Sequence, residues 1–569
     1  MKSKNLKADL CVIGGGLSGI CTAVAAARKG VKVILVHDRN VLGGNASSEI
    51  RMWPRGAARH FPEYLEGGLF EEIALDNMHY NPEMNYSVFD AVLYNKVISE
   101  KNIKLLLGTT CINANCKDGK ITFIKAWQLS TYNTFNIKAD YFADCSGDCV
   151  LAEFTDALYM HGRESKEDFL EPHARDIADK KTMGNSCLFQ LRKTNKRVVH
   201  HHPFPFEKEI NQHSINNRVN FNSTDYTSQN FWWLELGGNK DALKDADQIN
   251  HDLISLAFST YSQMVKNTKG KSGYTLDWVG FLAGKRETRR YIGDYVLTEN
   301  DLLESRKFDD EIAYGGWSFD DHNPDGFEGD SPYRIKFVPK SPYAIPYRSV
   351  YSKNINNLFF AGRNISVTHL ALSSTRVIAT CAIIGQAVGN ACAIAKKYGV
   401  SPKEVGIKHI DELKQEILID DLLLLNTERN KNIEFTKGVE RKLNGQDDVK
   451  VLDIGQEIKL DFNKRDCKKV RIVFDSDFSR SELPGPKLKQ FPMQCYNSCG
   501  KVRIKTPSTL IKDFTVKIRV DGVWKTFTIK NNFQRLVFIP VNGTVDGLTF
   551  TAKKTHGATK AKIYSIDVI

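Results

Sequence analysis

Three glycines near the start of the chain have a spacing that can bind phosphate groups. They are Gly14, Gly16 and Gly19, in the run Gly-Gly-Gly-Leu-Ser-Gly. Gly14 permits a sharp strand-to-helix turn, Gly16 lets the backbone approach a pyrophosphate, and Gly19 lets the helix lie close to the strand. The phosphates would then contact free N–H groups at the helix N-terminus. The alternative is a plain glycine turn, but an apolar run before it and a helix pattern after it favour a nucleotide site.

A second set of residues could bind an anion through its positive charge. Four basic residues surround one acid in a short segment, which consists of Lys285, Arg286, Glu287, Arg289 and Arg290. Glu287 can pair with Arg286 or Arg290 at helix spacing, so part of this cluster is structural. A guanidinium group left over would suit an anionic or polyhydroxyl substrate, and Arg51 and Arg376 are further candidates for that role.

The elements that must position these residues begin with one βαβ unit. An apolar run, Leu10–Ile13, leads into the glycines, an alanine-rich helix pattern follows, and a second apolar run covers Val31–Val36. An acidic residue at the end of the second strand usually takes the ribose hydroxyls, and His37 and Asp38 are the candidates. The small-residue loop that begins at Leu42 could pass close to a flat ring system.

These motifs resemble the FAD-dependent oxidoreductase family of the glutathione-reductase and fumarate-reductase type, to which heterodisulfide-reductase-like flavoproteins are related. In that family a Leu-Gly-Gly loop follows the ribose-binding residue and runs beside the flavin. The family more often has Glu where His37 stands. The residues that the resemblance implies as FAD contacts are Gly14, Gly16, Ser18, Gly19, His37, Asp38, Arg39, Gly43, Gly44, Asn45, Ser47, Cys111, Gly147, Gly362, Arg363 and Arg376.

Three later segments carry the same resemblance. Residues 143–148 resemble the acidic-Gly motif that closes the first FAD-binding half, with Asp148 expected to cap the helix after it. Residues 286–290 resemble an Arg-Glu-Thr-Arg-Arg motif near the flavin. Residues 357–376 resemble the C-terminal FAD motif, and the resemblance implies that Ser374–Arg376 begin a helix that points at the flavin pyrimidine, where reduction builds negative charge.

The chemistry expected at such a site is hydride transfer from a C–H bond of a bound organic substrate to the flavin. His369 is the candidate base, because it lies within the flavin-side motif and imidazole can titrate near neutral pH. The alternative is a hydrogen-bonded structural histidine. Arg51, Arg286 and Arg376 would orient the substrate or support the reduced flavin.

The predicted fold is α/β with a Rossmann-like FAD-binding domain made of two segments, 1–160 and 340–400. An inserted α+β substrate domain covers 161–339, and a charged helical linker covers 401–445. Short alternating strands from 446 to 569 indicate an all-β sandwich, a jelly roll that resembles galactose-binding domains. We expect the segment with Asp320, Asp321 and His322 to be a solvated loop, since its spacing fits no defined metal site.

Composition restricts the class of partner. The 79 basic and 67 acidic residues give a formal charge of +12, but they are dispersed and no basic block suggests nucleic acid. The sequence has no unbroken run of 18 apolar residues, so it predicts no membrane span. The start of the chain lacks a signal-peptide pattern, so we expect a cytoplasmic protein. The alternative, a signal peptide that was trimmed from the sequence, stays open. The 12 cysteines lack the spacing of zinc or iron–sulfur sites, and we expect no bound metal.

Three functions stay open on this basis. The first is an enzyme that oxidises a small molecule, such as a carbohydrate or an anionic sugar derivative, with an electron acceptor that the sequence does not identify. The second is an electron-transfer component like the heterodisulfide-reductase proteins. The third is a carbohydrate-binding protein whose flavin is vestigial. The sequence does not decide between a monomer and a homo-oligomer.

Overall fold

The structure is a computed structural model that describes residues 3–198, 231–267, 272–433, 435, 449–477 and 504–569. The sequence predicts a solvated loop at His200–His202, but this segment lies outside these residues, and so do the side chains of Phe231–Trp233. The α-helices of the described part are α1 Leu17–Arg28, α2 Gly68–Tyr80, α3 Tyr86–Ile98, α4 Lys166–Phe169, α5 Ala246–Asn267, α6 Glu299–Leu303, α7 His369–Thr375, α8 Ile378–Tyr398, α9 Pro402–Lys408 and α10 Ile410–Ile419.

The strands of the described residues form six separate sheets. Their bounds are β1 Ser3–Ile13, β2 Val33–Val36, β3 Ile103–Leu106, β4 Thr109–Lys117, β5 Lys120–Gln128, β6 Asn133–Asp144, β7 Tyr159–His161, β8 Asn185–Lys193, β9 Phe231–Leu236, β10 Tyr274–Val279, β11 Arg289–Tyr291, β12 Glu311–Gly315, β13 Phe319–His322, β14 Tyr333–Phe337, β15 Tyr343–Pro346, β16 Leu358–Phe360, β17 Lys450–Asp453, β18 Glu457–Phe474, β19 Ile511–Val520, β20 Val523–Ile529, β21 Leu536–Thr555 and β22 Lys560–Val568.

The first sheet is Rossmann-like, with the strand order β3-β2-β1-β6-β5-β4. Its central strands are parallel, and β2 and the end of β1 are apolar and buried on both faces, as in other parallel sheets. The first half of β6 pairs with β5, whereas its last residues pair in parallel with β16. This pairing brings a strand from the later part of the chain to the carboxyl end of β1, where the glycine turn lies.

Two helices cross closely beside this sheet. A Cβ on Gly385 of α8 would lie 2.1 Å from the carbonyl oxygen of Ser18 on α1, and one on Gly389 would lie 2.5 Å from that of Thr22. The glycines of α8 therefore allow it to pack closely on helix α1. Helix α8 is long and apolar enough to cross a membrane, but 89% of its most apolar window is buried inside the protein, as in a core helix.

Small sheets hold the residues between the two nucleotide-binding segments. Strands β10, β8 and β9 form an antiparallel sheet against α5, while β7 pairs with β11, β12 with β15, and β13 with β14. The segment with Asp320 and Asp321 is therefore a strand, and both aspartates are buried. The expected solvated loop is wrong, because this hairpin packs against α7.

The C-terminal strands form one antiparallel sheet, in the order β17-β22-β18-β21-β19-β20. The sequence predicts four short strands at residues 458–462, 468–475, 535–541 and 547–552. The structure has two long strands in their place, β18 with 18 residues and β21 with 20. A straight strand of that length would span roughly 60 Å. However, the ring of Phe474, at the end of β18, lies 5.1 Å from the ring of Phe514 on β19. Phe514 itself is level with the start of β18, because both pair with the same part of β21. The sheet therefore folds over on itself around an apolar core.

Candidate active site

The glycine turn after β1 is sterically required. Gly14 has a φ of +103°, and a Cβ there would lie 2.5 Å from the carbonyl oxygen of Cys145. A Cβ on Gly19 would lie 1.9 Å from the carbonyl oxygen of Gly14. By contrast, a Cβ on Gly16 would meet only Gly44, at 3.9 Å. The Cβ position of Gly16 therefore borders open space, although the loop itself is close, since a Cβ on Gly44 would lie 3.0 Å from Gly16 Cα.

Several buried polar atoms around this space have no hydrogen-bond partner among the described residues. The side-chain oxygens of Ser18 and Thr380 lie in the first turns of α1 and α8, and Arg363 Nε follows β16. Buried polar atoms are normally satisfied, so a set of them at two helix N-termini and a glycine turn fits a bound dinucleotide. The residues present therefore fit FAD.

The end of β2 differs from the expected ribose contact. The backbone N–H of Gly15 donates to His37 Nδ1 at 3.0 Å, and His37 Nε2 lies 3.1 Å from the carbonyl oxygen of Val41. The His37 ring thus stabilises the turn. The Asp38 side chain is 62% exposed and remains available to a ribose, while Arg39 pairs with Glu49.

The loop after β2 is joined to two other loops by hydrogen bonds. Asn45 donates to the carbonyl oxygen of Lys285 at 3.0 Å, and Lys285 Nζ lies 2.8 Å from Asp148. Arg363 Nη2 contacts the other oxygen of Asp148 at 2.7 Å. Asp148 therefore links two cations and does not cap the following helix, whose N-cap is Cys149. Gly147 has a φ of +77°, a conformation that L side chains rarely adopt, so glycine is favoured there.

Three other predicted cofactor or substrate residues have local partners. Ser47 donates to the carbonyl oxygen of Gly44 and holds that loop closed. Cys111 is buried on β4, which begins beside His37. Arg51 lies over the ring of Trp278 at 4.1 Å and contacts Gln190, so it belongs to the face formed by β8 and β10.

A buried chain of charged side chains runs through His369, and we call it the His369 chain. Its members, in order, are Arg290, Glu287, His369, Asp321 and Arg334. The two ring nitrogens of His369 each lie 2.9 Å from a carboxylate oxygen. Glu287 pairs with Arg290, as the sequence allowed, but Glu287 lies just before β11 and Arg290 lies within it, so the pair is not in a helix.

This geometry changes the expected role of His369. Although burial opposes a charge on the ring, Glu287 and Asp321 raise the pKa of His369 to about 10. The ring therefore holds its proton at neutral pH, and a protonated imidazole cannot act as a general base. The base predicted from the sequence is not supported, and the alternative, a hydrogen-bonded structural histidine, agrees with the contacts.

A second chain of the same residue types runs beside the first, and we call it the His322 chain. It consists of Arg286, Glu235, His322, Asp320 and Arg376. His322 Nδ1 lies 2.8 Å from Glu235, and Nε2 lies 3.2 Å from Asp320. Arg286 is buried and reaches Glu235 at 2.6 Å, and Arg376 donates to the backbone oxygen of Asp320 at 3.1 Å.

The sequence did not identify several members of these chains as site residues. The sequence placed Asp320, Asp321 and His322 in a solvated loop, and it gave no signal for Glu235. Their one local signal is a pair of acids beside a histidine after an aromatic residue. Arg376 also differs in place, because it follows the short helix α7, and the long helix begins only after Val377.

Comparison with known proteins adds the family. A family model described as FAD dependent oxidoreductase matches residues 9–417. No curated protein sequence matches the chain significantly. The expected resemblance and the expected FAD cofactor are confirmed by the family match.

Solved structures resemble the chain only weakly. A geranylgeranyl bacteriochlorophyll reductase-like protein from Thermoplasma acidophilum has 10% identity and a TM-score of 0.33, over 73% of this chain and 86% of that one. The quinol fumarate reductase chain of E. coli has 12% identity and a TM-score of 0.28, over 73% and 78%. A myxobacterial chondrochloren halogenase has 12% identity and a TM-score of 0.34, over 72% and 80%. At these values the likeness does not define a substrate.

Proposed function

Because the chain belongs to the FAD-dependent oxidoreductase family, we propose that it oxidises a small polar organic molecule, a carbohydrate or an anionic sugar derivative. The observation that carries this proposal is the position of the His322 chain. Its last member, Arg376, is separated by one residue from the start of α8, whose first turn contains the unpartnered Thr380 hydroxyl. A charged, buried chain thus ends beside the expected flavin position.

The residues of this chain have separate tasks in the proposed reaction. When bound, FAD supplies an acceptor for a hydride from a substrate C–H bond. Arg363 and the N-terminus of α8 stabilise negative charge near them, because both present N–H groups. Arg376 orients the substrate, and Arg286 acts on the site through Glu235 as a positioning residue. The buried side chains around them exclude water, which strengthens each of these interactions.

An anaerobic reduction experiment tests this function. The purified protein is mixed without oxygen with glucuronate, gluconate or glucose, and the visible flavin absorbance is followed. We expect bleaching by at least one of these compounds and reoxidation by air. Flavin that dithionite bleaches but none of the three compounds reduces would contradict the substrate class, whereas a protein without FAD would contradict the cofactor site.

Two further expectations remain proposals. The support for a galactose-binding-like jelly roll is the fold-back of the C-terminal sheet, and glycan binding by the intact chain would test it. We also keep a cytoplasmic location as a proposal, and fractionation of expressing cells tests it. Among the described residues no group of three or more His, Cys, Asp or Glu side chains is arranged to hold a metal ion.

A further inference from the structure

Four buried polar atoms without a hydrogen-bond partner among the described residues belong to one small region. They are His60 Nε2, Trp317 Nε1, Asp320 Oδ1 and Arg376 Nε. The rings of His60 and Trp317 lie 5.5 Å apart, and the carbonyl oxygen of Trp317 accepts a hydrogen bond from Ser374, two residues before Arg376. Arg376 in turn contacts Asp320.

These four atoms differ in whether they donate or accept hydrogen bonds. Trp317 Nε1 and Arg376 Nε are donors only, and His60 Nε2 donates in one tautomer. Asp320 Oδ1 is an acceptor that lies 3.4 Å from the Lys336 ammonium. The region therefore offers several donors and one charged acceptor. Donors suit the carboxylate of a ligand, and the acceptor suits a hydroxyl group.

The neighbouring chain provides an internal contrast. Asp321 uses both carboxylate oxygens, one for His369 and one for Arg334. Both oxygens of Glu287 are also hydrogen-bonded. Asp320, by comparison, uses only Oδ2 for its histidine and arginine and leaves Oδ1 without a hydrogen bond. The two aspartates thus differ in what they can offer to a ligand.

We propose that His60, Trp317, Asp320 and Arg376 form a recognition site for a hydroxy-carboxylate group, and that His322 positions Asp320 in it. This inference rests on the proposed function and narrows its substrate class to hydroxy acids, which include sugar acids. The carboxylate binds to the N–H groups of Trp317 and Arg376. The hydroxyl group donates to Asp320 Oδ1. The residues of the His369 chain hold strand β13 in place and do not contact the ligand.

Binding of simple probes to the FAD-loaded protein tests this site. Glycolate carries both groups, acetate lacks the hydroxyl, and ethylene glycol lacks the carboxylate. Each is titrated while the flavin visible spectrum is recorded, and the dissociation constants are compared. We expect glycolate to bind about tenfold more tightly than acetate, the worth of one hydrogen bond to a charged acceptor. Ethylene glycol should bind most weakly.

Three variants separate the site from its surroundings. Asp320→Asn should remove most of the preference for glycolate over acetate. Trp317→Phe should weaken the binding of glycolate and of acetate by similar factors, so the preference for glycolate should remain. The matched control is Asp321→Asn, one residue away and of the same chemistry, which should keep the preference.

Each other outcome overturns the inference. Equal binding of glycolate and acetate to the unsubstituted protein, or an unchanged preference in Asp320→Asn, removes Asp320 from the site. A loss of preference in Asp321→Asn as large as that in Asp320→Asn shows that the effect is structural. Trp317→Phe keeps the test decisive if Asp320→Asn fails to fold. Failure of the proposed function would be recognised by different results. The protein would lack FAD, or no sugar compound would reduce its flavin.

Discussion

Asp320 and Asp321 are consecutive residues of β13, yet their carboxylates contact two different histidines, His322 and His369. Successive side chains of a strand point to opposite sides, so a single hairpin can serve two separate charged chains. One chain has all its carboxylate oxygens hydrogen-bonded and the other does not. Two aspartates that look equivalent in the sequence therefore have different uses.

The first prediction concerns the glycine turn. Gly16→Val should abolish FAD binding and leave the fold intact, because its side chain enters the open space beside Gly44. Gly19→Val should instead destabilise the protein itself, because its Cβ would lie 1.9 Å from the carbonyl oxygen of Gly14. FAD content after denaturation and the melting temperature of each variant separate the two effects. A folded Gly16→Val protein with stoichiometric FAD would contradict the assignment.

The glycine turn was predictable because its requirements are local. Strand, turn and helix follow one another within a short segment, and each glycine has a separate steric cause. The two charged chains were not predictable in this way, because they join residues far apart in the sequence. Glu287 meets His369 across 82 residues, and Glu235 meets His322 across 87. A spacing argument cannot find such contacts, since the fold of the residues between them decides the distance.

The same limit applies to the role of His369. Its position in a flavin-side motif indicated a site residue, and the structure does place it on α7 near that motif. Its protonation depends on Glu287 and Asp321, which come from two other segments. The long C-terminal strands show the opposite case. The alternation of apolar and polar residues in these strands is visible in the sequence, but a bend within a strand resembles a turn there. The sequence therefore predicts two short strands in place of each of β18 and β21.

The second prediction concerns the stability that His369 provides. His369→Gln should cost about 3–5 kcal/mol at neutral pH, because it removes the cation between two buried carboxylates. Chemical denaturation at pH 6 to 10 measures this cost. His409→Gln, at a half-buried ring stacked on Tyr398, is the control and should change stability far less.

The pH dependence of that cost follows from the direction of the pKa shift. The pKa of His369 is raised from its ordinary value of 6.5 to about 10 in the folded protein. Its contribution to stability is therefore complete below pH 6.5 and is lost as the pH rises toward 10. The difference between the unsubstituted protein and His369→Gln should shrink over this range. A difference that stays constant up to pH 10 would show that the ring is neutral in the folded state.

The third prediction concerns metals. Thiolates are the form of cysteine that binds metal, and burial raises the pKa of Cys145 to about 12 and that of Cys149 well above its ordinary value. The other closely spaced pair, Cys495 and Cys499, lies outside the described residues. We expect elemental analysis of the purified protein to find neither iron nor zinc at stoichiometric levels. Iron together with acid-labile sulfide would instead support the electron-transfer alternative.

The last prediction concerns the contact between the C-terminal sheet and the nucleotide-binding part. Arg535 is buried, and its Nε lies 2.7 Å from Asp421, which follows α10, while Nη1 donates to the carbonyl oxygen of Phe474. Arg535→Met should cost about 3–5 kcal/mol, because the Asp421 carboxylate is left buried without this partner. Arg519→Met is the matched control, since Arg519 contacts Asp546 at a more exposed place in the same sheet and should show little change. Thermal unfolding followed by circular dichroism compares the two variants. Equal melting temperatures would show that the buried ion pair does not hold the sheet in place.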